Sequence, residues 1–462
     1  MSLAAPPRPR QVVMPLRRQR ARARGGSGVS KMATLALVFV LPFFAQVFHY
    51  LNELPPPYFL SKAWPFLMFP LTLYAAIRMR LPGRNLFLLL LAYLLGFTPL
   101  VSIIQLGNGL FDALATTVKA WPFTYYLALS ALLSLLALPP ERVRGVCIGY
   151  GVTTFVLLVV IYTLAPASWY VTNPEDGKLL QYDVDRGRRV YMSMFFGMIL
   201  IFYLGRSFII NGRVIRLLLI PTCLAIQVLT YKQRTAIAAA VLVTAYGMVM
   251  SMTGRTRRLA IGVGLALMVP MLALVGAKLG LFGGAGWNVE ESLGGSLSVR
   301  QNSFAIAFEY LGDNTLRWTF GVGATTRFGS ITLADIFGYD QFFIADLGWV
   351  GVVFEYGLIG AVLILAVHVW AYVVTARRGM ATRDPFVLAL SDYVLYLILT
   401  SSVYSLVFLP GELGVALALA IYLSSTQDRP PQAIPAGMAT RTRFFSRTRT
   451  QRPGCSSGSR SF

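Results

Sequence analysis

The chain is poor in charge, in cysteine and in histidine. Only 13% of its 462 residues are charged, about half the share a soluble globular protein carries. With 56% hydrophobic residues and a mean hydropathy of +0.63, this excludes a soluble domain. Of the three cysteines, Cys147 and Cys223 lie in apolar runs and Cys455 near the end, with no CxxC. Neither a disulfide framework nor a zinc site is signalled. The two histidines, His49 and His368, are far apart and read as packing or hydrogen-bonding residues, so no metal site and no cofactor are expected. Acid is also scarce, and the net charge of +22 would suit a nucleic-acid binder. Its distribution argues otherwise: residues 1–31 hold eight Arg or Lys and no acid, residues 427–462 hold seven Arg against Asp428, and the body between them keeps only +8. No nucleic-acid partner is expected. The tails, rich in Pro, Ser and Arg, read as disordered segments held on the cytoplasmic side near anionic lipid. Residues 1–31 have no apolar centre of their own, so the run from Met32 is expected to act as an uncleaved first span.

Long apolar runs are what the chain has in abundance. Crossing the hydrocarbon core takes about 20 mostly apolar residues, and such runs fall at 32–50, 59–77, 85–105, 119–138, 143–165, 190–205, 214–231, 234–252, 257–277, 347–375, 386–408 and 411–425. The expectation is an all-α integral membrane protein of about twelve transmembrane helices, with a large periplasmic loop containing short amphipathic helices. Its layout is a basic tail (1–31), helices one to nine (32–277), the large loop (278–346), the last three helices (347–425) and a second basic tail (426–462). Prolines inside several runs read as kinks, tolerated where neighbours satisfy the freed carbonyls.

Charge orients the bundle. With the N-terminus inside, the connectors 78–84, 139–144, 205–216, 253–258 and 376–384 carry fourteen Arg and no Lys against Glu141 and Asp384, whereas the outer connectors hold eleven bases and fourteen acids. That asymmetry puts both tails in the cytoplasm. An outer arginine then opposes the topological bias and becomes a functional candidate. Two outer connectors are long enough to hold structure, 166–189 and 278–346. In the second, Phe304, Phe308 and Leu311 predict a short amphipathic helix capped by Ser298, with Arg300 in its first turn, where free amides favour an anion.

The candidate groups each have a plain structural alternative. Lys232 and Arg234 in YKQRTA could be a snorkelling pair at a helix end. Arg300, Arg317 and Arg327 could be solvated loop charges. Glu355, two turns inside a span, is a functional candidate because an intramembrane carboxylate is costly, or else a partner for an outer arginine. Asp392 could reach water or a neighbouring Arg. Glu355 and Asp392 are the only interior charges expected.

In order along the chain, these motifs resemble a known family. Gln233-Arg234-Thr235, then Ser298 and Arg300, then Arg317-Trp318 with Gly321-Val322-Gly323, then Asp346, Glu355, Gly357 and Gly360 look like the O-antigen polymerase and ligase superfamily over roughly 230–362. The ligase branch carries a His where this chain has Asp346, a departure that favours a Wzy-type polymerase. The resemblance implies a GT-C-like, metal-independent glycosyltransferase of the bacterial inner membrane. It would join undecaprenyl-pyrophosphate-linked oligosaccharides at the periplasmic face. Membrane lipids, a chain-length regulator and export proteins would be its other partners. Arg234, Arg300 and Arg317 would bind diphosphates, Asp346 would act as base or orient the acceptor, and Glu355 would hold an arginine. Ligase and lipid-linked oligosaccharide transporter remain the alternatives.

Overall fold

The computed structural model describes residues 27–49, 51–172, 177–183, 187–263, 266, 296–324, 342, 344–404 and 409–427. Among them, helices α1 (Ser27–Phe44), α2 (Pro55–Arg78), α3 (Arg84–Leu106), α4 (Tyr125–Leu136), α5 (Pro140–Leu164), α6 (Phe195–Asn211), α7 (Val214–Tyr231) and α8 (Arg234–Ser251) precede the large connector. The connector contributes α9 (Ser296–Leu311) and α10 (Thr315–Phe320), followed by α11 (Trp349–Thr382), α12 (Pro385–Thr400) and α13 (Pro410–Gln427). Helices α2, α3, α5, α7, α8 and α11 are long and apolar enough to cross a membrane; α1, α4, α6, α12 and α13 are apolar but shorter. Eleven of the twelve apolar runs thus coincide with helices. The other, 257–277, lies largely outside the described residues, as do the tails, residues 280–286 of the large connector and Arg327.

The burial pattern is that of a protein embedded in lipid. Phe39, Ile104, Leu164, Leu242 and Val362 present their side chains outward, while Arg206, Glu355, His368, Asp392 and Glu412 are buried inside the bundle. Large apolar side chains facing outward in such number along whole helices, with charge turned inward, suit surroundings as apolar as they are. Helices α6, α12 and α13 lie at the centre, their aromatic side chains Phe195, Phe202, Phe386 and Tyr393 fully enclosed. His368 Nδ1 donates to the Ile364 carbonyl one turn back, 2.8 Å away, which fits the hydrogen-bonding role expected for it.

Asp392 does meet a neighbouring arginine. Arg206 Nε and Nη2 reach its two oxygens at 2.7 and 2.6 Å, and Arg206 Nη1 donates to Ser251 Oγ at 3.0 Å. The fork ties α6, α8 and α12 together, and Gly247 leaves the room for it, since a Cβ there would collide with both groups.

Helix α11 is broken near its start. Gly357 has φ 65° and ψ 179°, so the carbonyls before it lose their helical partners. The connector and α3 supply replacements: from the connector, Val322 N–H donates to the Phe354 carbonyl (2.8 Å) and Gly323 N–H to the Glu355 carbonyl (3.1 Å), and from α3, Tyr93 Oη donates to the Tyr356 carbonyl (2.7 Å). A short extended peptide, Gly321-Val322-Gly323, is therefore stitched into the gap of a membrane helix. This is how non-helical backbone is tolerated at such a place, with freed carbonyls satisfied by protein.

The connector 166–189 also has structure. Strands β1 (Leu180–Asp183) and β2 (Gly187–Val190) pair antiparallel with Leu180 opposite Val190.

Candidate functional site

At one end of the bundle the termini of α1, α6, α7, α8, α12 and α13 surround a cavity of about 250 Å³. Tyr191, Tyr231, Tyr393, Tyr396 and Tyr404 line it together with Gln46, Ser193, Gln233, Asp346 and Glu412, and the described lining contains no Lys or Arg. The local chain geometry explains the arrangement. Helix α7 ends in a π-helical turn, Gln227–Tyr231, followed by Lys232 in the left-handed region. That turn swings Tyr231 over to stack on Tyr191, with ring centroids 5.9 Å apart and planes at 13°. Gln46 Oε1 accepts from Gly411 N at 3.0 Å, fixing the first turn of α13. One residue on, Glu412 is buried and accepts a hydrogen bond through Oε2 from the Tyr393 hydroxyl.

Two of the sequence candidates meet here. Asp346 lines the cavity from the short 3-10 turn Ile344–Leu347, ahead of α11. Burial pushes its carboxyl above the usual carboxylate range, and the nearby Arg300 guanidinium opposes that rise. Arg300 itself sits over the Tyr404 ring, 5.9 Å from its centroid, so it belongs to the cavity's edge. Arg234 is the exposed first residue of α8, directly after the lining residue Gln233.

The other two stand elsewhere. Arg317 is folded back onto α9: its Nη1 donates to the Tyr310 carbonyl at 2.6 Å and its guanidinium lies 4.5 Å from the Tyr310 ring centroid. Glu355 is fully buried beside the break in α11, with Lys119 Nζ 3.5 Å from its Oε1. Both residues flank the joint where Gly321-Val322-Gly323 enters the helix, and neither lines the cavity.

The expected cap is displaced. Helix α9 begins at Ser296 instead of Ser298, which carries Arg300 past the first turn and its free amides. Its inward face is Ser303, Ala307 and Leu311, one turn apart, while Phe308 is half exposed and rests against Trp318. Small side chains let the helix approach the start of α11 closely, which outweighs the larger rings on the adjacent stripe.

Sequence reasoning missed Glu412, Lys119 and the tyrosines. Glu412 is buried in addition to the two carboxylates expected in the interior, and its place in PGELG, at the head of an apolar run, was the available signal. The tyrosines come from four separate segments, and nothing in their spacing foretells the convergence. No protein-family model and no curated protein matches the chain.

Proposed function

We propose that this protein is a polysaccharide polymerase. It would join undecaprenyl-pyrophosphate-linked repeat units at the periplasmic face of the bacterial inner membrane, through about twelve spans with both tails cytoplasmic. The observation that carries the reading is the meeting of Asp346 and Arg300 at a tyrosine-lined cavity where helix ends and the large connector come together. A lipid-linked sugar needs such a place, with its tail in the bilayer and its polar head at the surface. Tyrosine offers a flat apolar face and a hydroxyl, suited to a sugar ring, and arginine offers the bidentate grip a diphosphate needs.

The leaving group is a diphosphate, so charge stabilisation by Arg300 and Arg234 is the main demand on the protein. Arg317 and Glu355 have a positioning role: Arg317 braces α10 against α9 through Tyr310, and Glu355 receives Gly323 N–H at its backbone carbonyl beside the break in α11. A transporter has one point in its favour, since broken helices mark transport sites. In α11, however, the carbonyls of Phe354, Glu355 and Tyr356 are already engaged by the connector peptide and by Tyr93, which argues against their coordinating cargo. Departure from the ligase branch at Asp346 keeps the polymerase reading ahead of the ligase.

The test is deletion of the gene in its host, with lipid-linked and surface saccharides resolved by size. Single units accumulating on the carrier, with polymer lost, is the expected result. Long chains retained on the carrier would indicate a ligase, and units trapped on the cytoplasmic side a transporter. Complementation with Arg300→Ala should leave protein in the membrane and polymer at least ~100-fold reduced; normal polymer would remove Arg300 from the site.

A further inference from the structure

We infer that Glu412 is the proton acceptor for the attacking sugar hydroxyl, and that the tyrosine-lined cavity is the acceptor saccharide's subsite. The inference rests on the polymerase reading and extends it. The site is divided by charge. The described cavity lining has two carboxylates and no cation, an unfavourable place for a diphosphate, whereas Arg300 and Arg234 stand at its edge. Diphosphate and acceptor therefore occupy neighbouring compartments, with the reacting carbon between them.

The two carboxylates differ in their engagement. Asp346 enters from the short 3-10 turn ahead of α11, on the side of the cavity where Arg300 lies over Tyr404, which places it toward the diphosphate compartment. Glu412 is held by a phenol, Tyr393, through one oxygen. It also sits on a rigid mount: Gln46 fixes the Gly411 amide, and Gly411 and Gly414 bring α13 so close to Tyr125 and Tyr126 that a Cβ at either position would collide. A general base must be placed within hydrogen-bond reach of its proton by elements that do not move.

In the step itself, the acceptor hydroxyl oxygen attacks the anomeric carbon of the donor sugar and its proton passes to the Glu412 carboxylate. The bond from that carbon to the diphosphate oxygen breaks, its electron pair leaving with the polyprenyl diphosphate. The proton on Glu412 is then lost to water.

The experiment places Glu412→Gln in the deletion host and also in purified protein, assayed with lipid-linked repeat units extracted from that host. Glutamine keeps the oxygen that accepts from Tyr393. The expected result is a normal membrane level, a turnover at least ~100-fold lower and an unchanged KM for the acceptor unit. A lost structural contact would instead lower the protein level or raise KM. Wild-type turnover overturns the assignment. If Glu412→Gln fails to insert, Glu412→Asp decides, because withdrawing the carboxylate should cost ~10-fold or more in turnover with KM kept, and wild-type turnover again overturns it. Deletion without effect on chain length would defeat the polymerase reading itself. Accumulation of single units on deletion, combined with normal Glu412→Gln, would defeat only the role given to Glu412.

Discussion

Gly357 adopts a backbone conformation that is essentially closed to other residues, and a Cβ there would run into the Thr319 carbonyl. Gly357→Ala should therefore lose about 1–3 kcal/mol through backbone strain alone, with steric displacement of the connector added to it. A lowered Tm of the detergent-purified protein would report this. Asp346 makes a prediction of opposite sign. Because burial raises its folded pKa, its contribution to stability is full below the unfolded value, about 4, and is lost as pH rises through the folded value. Asp346→Asn lacks that loss. Its Tm should gain on the wild type as pH goes from below 4 to 7, while polymer formation falls; a Tm difference independent of pH would show that the carboxylate is not under strain. At this scale the sequence was partly legible. Asp346, Arg300, Glu355 and Gly357 stood out as residues, since charge and glycine in apolar surroundings are visible in one dimension. What each does depends on backbone angles and on contacts from distant segments, as with Lys119 beside Glu355.

Helices α6 and α12 are joined by a buried ion pair whose geometry is bidentate, Arg206 to Asp392. Removing one partner of such a pair leaves a charge stranded in the interior and costs about 3–5 kcal/mol. Asp392→Asn should accordingly reduce the folded yield and Tm sharply, whereas the apolar double variant Arg206→Met with Asp392→Leu should recover much of both. Failure of the double variant to recover would mean that the pair has a task beyond assembly. Element existence was readable because apolar length is a strong signal, and eleven runs became helices. Ends were less readable. Ser298 was the expected cap of α9, and the helix begins two residues earlier, at Ser296. The β1–β2 hairpin was hidden because its strands are only four residues long and carry Asp183, Arg188 and Arg189, and the brief alternation in Leu180-Gln181-Tyr182-Asp183 misleads, since Gln181 is the buried residue and Tyr182 the exposed one.

For the molecule as a whole, the arginine-rich connectors predict one orientation. In a background lacking Cys147, Cys223 and Cys455, a membrane-impermeant maleimide should label Asp313→Cys in intact spheroplasts and Arg377→Cys only after lysis. Both positions are exposed, so the reverse pattern would invert the topology and move the cavity to the cytoplasm. The fold class was legible from composition. The cavity was not, because it is assembled from helix ends scattered between residues 46 and 412, and no local pattern records which ends will be neighbours.

The joint at Gly357 sets the unit in which this protein can be exchanged with a relative. Its connector is hydrogen-bonded into α11 through Val322 and Gly323, and the receiving carbonyls belong to Phe354 and Glu355, beyond the connector's own end. A graft of residues 278–346 alone would carry the plug without its socket. A working transplant has to run on through Gly360, and by the same reasoning drift in the connector and in the first turns of α11 must proceed in concert: specificity could diversify in this architecture only along a loop and half a helix inherited as one piece.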